Sequence, residues 1–110
     1  MSEELAWAAG FFDGEGCFSW RKTRDPRGKV LVTITQVDPE VLEKFKAAVG
    51  VGNVLGPYNR RPDDLGQRPY WLYRVQGRGA TKVALDMWPW LGTVKRLQYN
   101  RVVDRVKNGG

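Results

Sequence analysis

The stretch LAWAAGFFDGEGCF, residues 5–18, decides how this chain folds. An apolar run with helical spacing comes first, and a glycine-rich segment with two acids, DGEG at residues 13–16, follows it. Residues three and four apart lie on the same side of a helix. One face therefore combines small side chains with the first acid: Ala6, Ala9, Gly10 and Asp13. A face of this kind lets a second backbone approach closely.

The end of this helix is predicted at about Asp13, because Gly14 permits backbone angles that other residues resist. Leu5, Ala8 and Phe12 lie on the neighbouring face and can reach a core. Glu15 would then lie just beyond the helix C-terminus, where the helix dipole does not stabilise a carboxylate. An acid in such a position suggests a function.

The composition indicates one globular domain, residues 1–110. The chain is 42% hydrophobic and 27% charged, and a chain of this length buries roughly two-thirds of its unfolded surface. It contains neither a signal peptide nor an apolar run near the roughly 20 residues of a membrane span. We therefore expect an intracellular protein without a membrane partner, although its compartment stays unknown. The absence of histidine excludes His-based catalysis, and the single Cys17 excludes an internal disulfide.

The net charge of +6 and the pI of about 9.8 favour a polyanionic partner, most often nucleic acid. The alternative is that the chain is one of the many small basic proteins without such a partner.

Sequence periodicity predicts the order α-β-β-α-β-β-α with a further short helix, and therefore an α+β protein. Alternating polarity places strands at residues 17–24, 29–37, 53–61 and 70–76. Helices are predicted from the Ser2 cap to about residue 13, from the Asp38 cap to residue 49, from about residue 79 to Pro89, and from about residue 94 to 106. Thr93 is the expected cap of the last helix, with Leu97, Val102 and Val106 buried. An antiparallel sheet covered by helices on one face fits this order.

The uncovered face of this sheet would be basic. Asp25 is the only acid between Cys17 and Val37, whereas the polar strand positions include Arg21, Lys29 and Arg74. Strands can enter the DNA major groove, where Arg suits guanine and Gln suits adenine. A sheet face that is merely exposed to solvent also shows alternating polar residues, but the excess of cations favours a face that binds nucleic acid.

The segment AAGFFDGEG, residues 8–16, resembles the nine-residue motif that names the LAGLIDADG homing endonucleases. Later segments are similar to landmarks of that family in the same order: Thr35-Gln36, GVG at 50–52, YRVQG at 73–77, PWL at 89–91, and then Lys95 and Gln98. Ala8, Gly14 and Glu15 replace the usual Leu, Ala and Asp. In some members of the family a basic residue follows soon after this glutamine, but here no basic residue follows closely after Gln36. The resemblance is to the single-motif, homodimeric type, and it implies that family's saddle-shaped antiparallel sheet.

This resemblance implies site-specific cleavage of double-stranded DNA by hydrolysis of phosphodiester bonds. Glu15, Gln36 and Lys95 would be catalytic, with Arg96 as a second cation. Mg²⁺, or another divalent cation, would be held by the Glu15 carboxylate and the Gly14 carbonyl, because such cations prefer oxygen ligands. Paired ions can activate water and stabilise the leaving oxygen. Asp13 would support the site structurally.

Because one motif supplies one key acid, the resemblance implies a homodimer through the first helix, with Ala6, Ala9, Gly10 and Asp13 in the interface. Strand alternation together with the family match predicts these DNA contacts: Ser19, Arg21, Thr23, Arg27, Lys29, Leu31, Thr33, Asn59, Arg60, Arg61, Leu72, Arg74 and Gln76. Proteins of this type promote the copying of an intron or intein into an uninterrupted allele.

Two alternatives stay open at this point. The first is a relative that binds DNA or RNA without cutting it, such as an intron maturase. The second is a structural interaction domain with a merely solvated basic face. Retention of Glu15, Gln36 and Lys95 favours cleavage over both.

Overall fold

A computed structural model describes residues 2–59 and 68–109 as four α-helices, one 3₁₀ turn and a four-stranded antiparallel sheet. The elements, in chain order, are α1 (Glu3–Glu15), β1 (Gly16–Arg21), β2 (Lys29–Gln36), α2 (Pro39–Val49), β3 (Asn53–Tyr58), β4 (Tyr70–Gln76), α3 (Arg78–Met87), the 3₁₀ turn (Trp88–Trp90) and α4 (Thr93–Lys107). The predicted order and the α+β class are confirmed.

Side-chain caps begin the first two helices where the sequence placed them. The Ser2 hydroxyl accepts a hydrogen bond from the Leu5 backbone N–H at 3.1 Å. The Asp38 carboxylate accepts from the Glu40 N–H at 2.9 Å, and Pro39 occupies the first helical position. Gly50 ends α2 in the left-handed region, with φ of 79°.

The first helix is longer than predicted. It runs through Gly14 to Glu15, and the Gly16 N–H donates to the Phe12 carbonyl at its end. Glycine inside a helix costs about 1 kcal/mol relative to alanine. Hydrogen bonds from the last turn can offset this penalty, since Asp13 accepts from the Gly92 N–H and Glu15 accepts from the Gln36 amide. The Phe12 side chain within the helix is fully buried, and its ring lies 4.8 Å from that of Phe18. Gly14 therefore does not end the helix, and Glu15 is its last residue.

The strand order in the sheet is β1-β2-β4-β3, and every neighbouring pair is antiparallel. Strands β1 and β2 form the predicted hairpin, although β1 ends at Arg21 instead of Arg24 because the turn begins earlier. Strand β4 lies between β2 and β3, so the two α-β-β units join through β2 and β4 into one continuous sheet.

The core lies between one face of the sheet and the helices. Its fully buried members come from both layers, among them Phe12, Val32, Phe45, Tyr73 and Met87. Trp20 and Trp71 pack at its margin, as their strand positions predict. The tyrosine hydroxyl of Tyr73 donates to the Val51 carbonyl at 2.7 Å, and burial raises the pKa of this phenol.

The start of α4 corrects two expectations. Gly92, and not Thr93, is the N-cap, and no side chain of α4 itself caps the helix. Leu97 is 51% exposed, and Val94 is 74% exposed. Tyr99 and Val102 are the residues that α4 buries, because the side of α4 that packs on β1 carries them and Leu97 faces outward.

In the part of the chain that is described, none of the helices has both the length and the apolar character required to cross a bilayer.

Gly16→Ala is expected to destabilise the protein, since the added methyl group would overlap the ring of Phe12. Overpacking of a core costs about 1–3 kcal/mol. The free energy of unfolding in urea measures this effect. Asn100→Ala, on the exposed side of α4, is the control and should stay within about 0.5 kcal/mol of the parent. Equal stabilities for the two variants would contradict the packing described for Phe12.

Candidate active site and nucleic-acid interface

The last residue of α1 is bound to the end of β2. The Gln36 side-chain amide donates to Glu15 Oε1 at 2.6 Å. Two separate parts of the chain meet here. Glu15 is the last residue of α1, and Gln36 is the last residue of β2, a strand of the sheet that α1 covers. The structure thus joins two of the three predicted catalytic residues by one hydrogen bond.

Asp13 binds the start of the last helix. Both of its carboxylate oxygens accept from the Gly92 N–H, at 3.0 Å for Oδ1 and 3.2 Å for Oδ2. Gly92 is the N-cap of α4, so Asp13 supplies from another element the cap that Thr93 does not provide. Negative charge is favoured at a helix N-terminus. The contact also fixes the end of α1 against the start of α4.

Lys95 lies in the first turn of α4, two residues beyond Thr93 and half-buried. Within residues 2–59 and 68–109, no hydrogen bond or ion pair joins Lys95 to Glu15 or Gln36. Lys95 thus follows three residues after Gly92, which Asp13 binds, and it does not directly contact the acid.

Arg96 does not act as a free second cation. Its Nη2 donates to the Trp88 carbonyl at 2.8 Å, and its guanidinium lies 5.4 Å from the centre of the Trp88 ring. Its Nε is buried without a partner among the described residues. These contacts commit Arg96 to holding the 3₁₀ turn against α4.

The residues at the end of α1 fit a divalent cation only as part of a ligand set. Glu15 offers a carboxylate whose Oε2 accepts no hydrogen bond within the described residues, while Asp13 is occupied by Gly92. The last carbonyls of a helix lack intrahelical partners and carry the negative end of its dipole. Across the described ranges, no group of three His, Cys, Asp or Glu side chains could hold a metal. Mg²⁺ is commonly bound by one or two carboxylates plus substrate phosphates, and this oxygen set suits such a site.

One side of α1 is exposed and carries few side chains, because two of its residues are glycines. A Cβ at Gly10 or at Gly14 would meet nothing within 4 Å, and Asp13 is also exposed beside them. Ala9, expected on this face, is fully buried against the core of its own chain, because it turns with Ala8 and Phe12 toward the sheet. The small face of α1 therefore consists of the half-buried Ala6 and the exposed Gly10, Asp13 and Gly14, without Ala9.

The sheet face away from the helices carries most of the predicted DNA contacts. Residues directly opposite each other in neighbouring strands share one face. The register aligns Arg21 with Lys29, Ser19 with Leu31 and Gln76, Thr33 with Arg74, and Thr35 with Leu72. These residues, which we call the open face, alternate with the core residues Phe18, Val32 and Tyr73.

The open face is basic. The four strands contain three cations, Arg21, Lys29 and Arg74, and no Asp or Glu. Positive potential without a neighbouring acid suits a polyanion.

The turn between β1 and β2 is different, because Arg27 is already paired. Its guanidinium binds the Asp25 carboxylate at 3.0 Å, and this hydrogen bond lowers the pKa of that carboxyl. Thr23 lies outside the strand and donates to the Asp25 carbonyl. Asn59 is exposed after β3, while Arg60 and Arg61 lie outside the described residues.

The contacts of two further residues become visible in three dimensions. Asn53 lies directly opposite Arg74 on the open face. Gln98 accepts at Oε1 from the Phe18 N–H at 2.8 Å and so holds the edge strand β1 against α4. Strand alternation alone did not indicate Asn53, since the register of β3 decides which face it occupies. For Gln98, the family landmark was the available signal.

A sequence profile of the LAGLIDADG-like domain matches residues 2–85 of this chain. The chain belongs to the LAGLIDADG homing endonuclease family. The match extends from the start of α1 into α3, and so includes the motif helix and the whole sheet. Among curated proteins, none matches the chain.

Solved structures of LAGLIDADG enzymes share the fold. I-CvuI, in complex with its target in the presence of 2 mM Ca, has a TM-score of 0.69 and 23% identity over 96% of this chain and 67% of its own. I-AabMI, bound to uncleaved DNA, has a TM-score of 0.69 and 24% identity over 96% of this chain and 36% of its own. The archaeal intron-encoded I-Vdi141I, complexed with DNA, has a TM-score of 0.62 and 24% identity over 96% of this chain and 70% of its own. These relatives are longer than the part of them that this chain matches.

Asp13→Ala is expected to lower the free energy of unfolding by about 1 kcal/mol, because the Gly92 N–H loses its acceptor at the start of α4. Urea unfolding at one fixed protein concentration measures the loss, and Asp13→Asn, which keeps one oxygen, should recover part of it. The matched control is Asp86→Ala. Asp86 binds Lys82 at 2.8 Å in a surface pair, whose removal changes stability by at most about 0.5 kcal/mol. Equal losses for Asp13→Ala and Asp86→Ala would contradict the capping role.

Proposed function

We propose that this chain is a site-specific endonuclease that cuts both strands of a DNA duplex as a homodimer and depends on a divalent cation, best Mg²⁺. The observation that carries this proposal is the 2.6 Å hydrogen bond between Glu15 and Gln36 at the exposed end of α1. It keeps one carboxylate oxygen oriented and leaves the other available. A merely structural domain has no need for an exposed, oriented acid at the negative end of a helix.

The cation would be held by Glu15 and by the Gly14 carbonyl, with DNA phosphate oxygens completing the set. When bound, it would polarise a phosphate and lower the barrier to attack by water. Gln36 holds the Glu15 carboxylate in place for this role. Lys95 would stabilise negative charge that develops on the phosphate, once DNA draws its side chain toward the end of α1. Asp13 positions α1 against α4 and thereby Glu15 relative to Lys95.

A second copy is required because each chain offers one such acid. The small face of α1, which comprises Ala6, Gly10, Asp13 and Gly14, supports a two-fold pairing in which two α1 helices cross closely. The pairing would bring two Glu15 carboxylates near two phosphates. It would also place two sheets side by side, so that their open faces form one extended DNA-binding surface.

The DNA would lie along the open face. Arg21, Lys29 and Arg74 supply charge, while Ser19, Thr33 and Gln76 supply hydrogen-bond donors and acceptors for base edges or phosphates. Leu31 and Leu72 can contact thymine methyl groups. The Thr23, Arg27 and Asn59 positions at the sheet ends, with Arg60 and Arg61, would extend the contact along the duplex. A homing role in an intron or intein follows from such an activity.

Glu15→Gln is expected to abolish cleavage without abolishing DNA binding. The substitution removes the charge but keeps the shape of the side chain. Loss of a charged group that acts in the transition state costs at least about 10²-fold in rate. A randomised duplex library incubated in Mg²⁺ measures cutting of both strands, and filter binding measures affinity. Glu43→Gln, exposed on α2, should cut like the parent. Binding without cutting by the parent chain would instead favour the maturase-like alternative.

Gly10→Leu is expected to convert a dimer into a monomer. The larger side chain has room in a single copy, since nothing lies within 4 Å of a Cβ there, but it would hold two α1 helices apart. Sedimentation velocity distinguishes the 12.5 kDa chain from a species of twice that mass. The control is Ala47→Leu, which enlarges an exposed position on α2 and should stay dimeric. A Gly10→Leu variant that sediments as a dimer would exclude this face as the interface.

A further inference from the structure

A concavity of about 260 Å³ lies on the open face, where β3 meets β4. It is lined by Val51, Gly52, Asn53, Arg74, Val75 and Gln76. Three of these residues carry polar side chains that can pair with nucleic-acid bases, and none of the six is an acid. Within the described part of the chain, the side chains of Asn53, Arg74 and Gln76 form no hydrogen bond or ion pair with the protein itself.

The backbone before Asn53 is held firmly. The buried Tyr73 hydroxyl donates to the Val51 carbonyl at 2.7 Å. Gly52 has φ of 106°, and a Cβ at this position would overlap the Tyr73 ring, so the segment passes directly over that ring. Asn53 then pairs with Arg74 across β3 and β4. A polar side chain on so fixed a backbone loses little freedom on binding.

We propose that Asn53 determines DNA sequence specificity together with Arg74, and that the two recognise neighbouring purines, adenine by Asn53 and guanine by Arg74. This inference rests on the proposed function. Asn forms two hydrogen bonds with adenine N6 and N7, and Arg forms two with guanine O6 and N7. Side chains directly opposite in a sheet have Cβ atoms roughly 5 Å apart. Successive bases of one strand rise by roughly 3.4 Å, so the pair reaches one base step.

Asn53 is neutral and lies directly opposite Arg74, which is half-buried. Arg74 therefore supplies the electrostatic attraction for DNA, while Asn53 discriminates between bases. Gln76, on the same strand as Arg74, lies one row further along the open face.

The test is selection of bound duplexes from a randomised library by the full chain, in Ca²⁺, the ion present in the I-CvuI complex. We compare the parent with Asn53→Ala, Asn53→Asp and Arg74→Ala. The parent should enrich guanine beside adenine. Asn53→Ala should reduce the preference for adenine at its position by about 10-fold and leave the preference for guanine at the neighbouring position unchanged. Asn53→Asp should change the preferred base at that position to cytosine, whose N4 amino group donates to a carboxylate.

Arg74→Ala should lose the guanine preference and weaken binding to all sequences. Asn100→Ala, a matched Asn on the exposed side of α4, should enrich the same sequence as the parent. Unchanged selection by both Asn53 variants would overturn the inference and leave the proposed function intact. A parent chain that enriches no sequence would overturn the proposed function, and this inference with it.

Discussion

The structure depends on a first helix that is apolar on all sides. Between Glu4 and Asp13, α1 carries no charged residue. Its own chain buries Ala8, Ala9 and Phe12 and partly covers Leu5, Trp7 and Phe11, but it leaves Gly10 exposed. A helix that is hydrophobic all round is normally buried all round. Its uncovered side consists of small residues with open space above them, Gly10 and Gly14 in particular. The position of the acid and the proposed pairing with a second copy both rest on this helix.

Two polar contacts turn the end of that helix into a candidate site. Asp13 caps α4 through the Gly92 N–H, and Glu15 accepts from the Gln36 amide. Asp13 thus has a structural role and Glu15 stays available, although the two acids are only two residues apart. The difference arises from helix geometry, because residues two apart point to different sides. Glu15 ends α1 while the basic open face belongs to the sheet, and β2 connects the two through Gln36.

Local signals in the sequence predicted much of this arrangement. Caps at Ser2 and Asp38 and strand alternation were sufficient for the element order and for the alternation of the sheet between core and open positions. The family resemblance named both Glu15 and Gln36 as site residues, but not the hydrogen bond between them. What failed depended on tertiary contacts. Gly14 does not end α1, because the hydrogen bonds of Asp13 and Glu15 to other elements offset the low helix propensity of glycine. Ala9 faces inward, Leu97 faces outward, and Asn53 joins Arg74 only through strand register. Periodicity fixes which residues share a side, but not which side the rest of the chain covers.

The central claim, that two α1 helices bring two Glu15 carboxylates to one duplex, is tested most directly with mixed dimers. The parent chain and Glu15→Gln are given different affinity tags, co-expressed and purified through both tags. The mixed dimer is then incubated with the selected target in Mg²⁺. The account predicts a cut in one strand only, since each Glu15 serves one phosphate. Cutting of both strands at the rate of the parent dimer would contradict it.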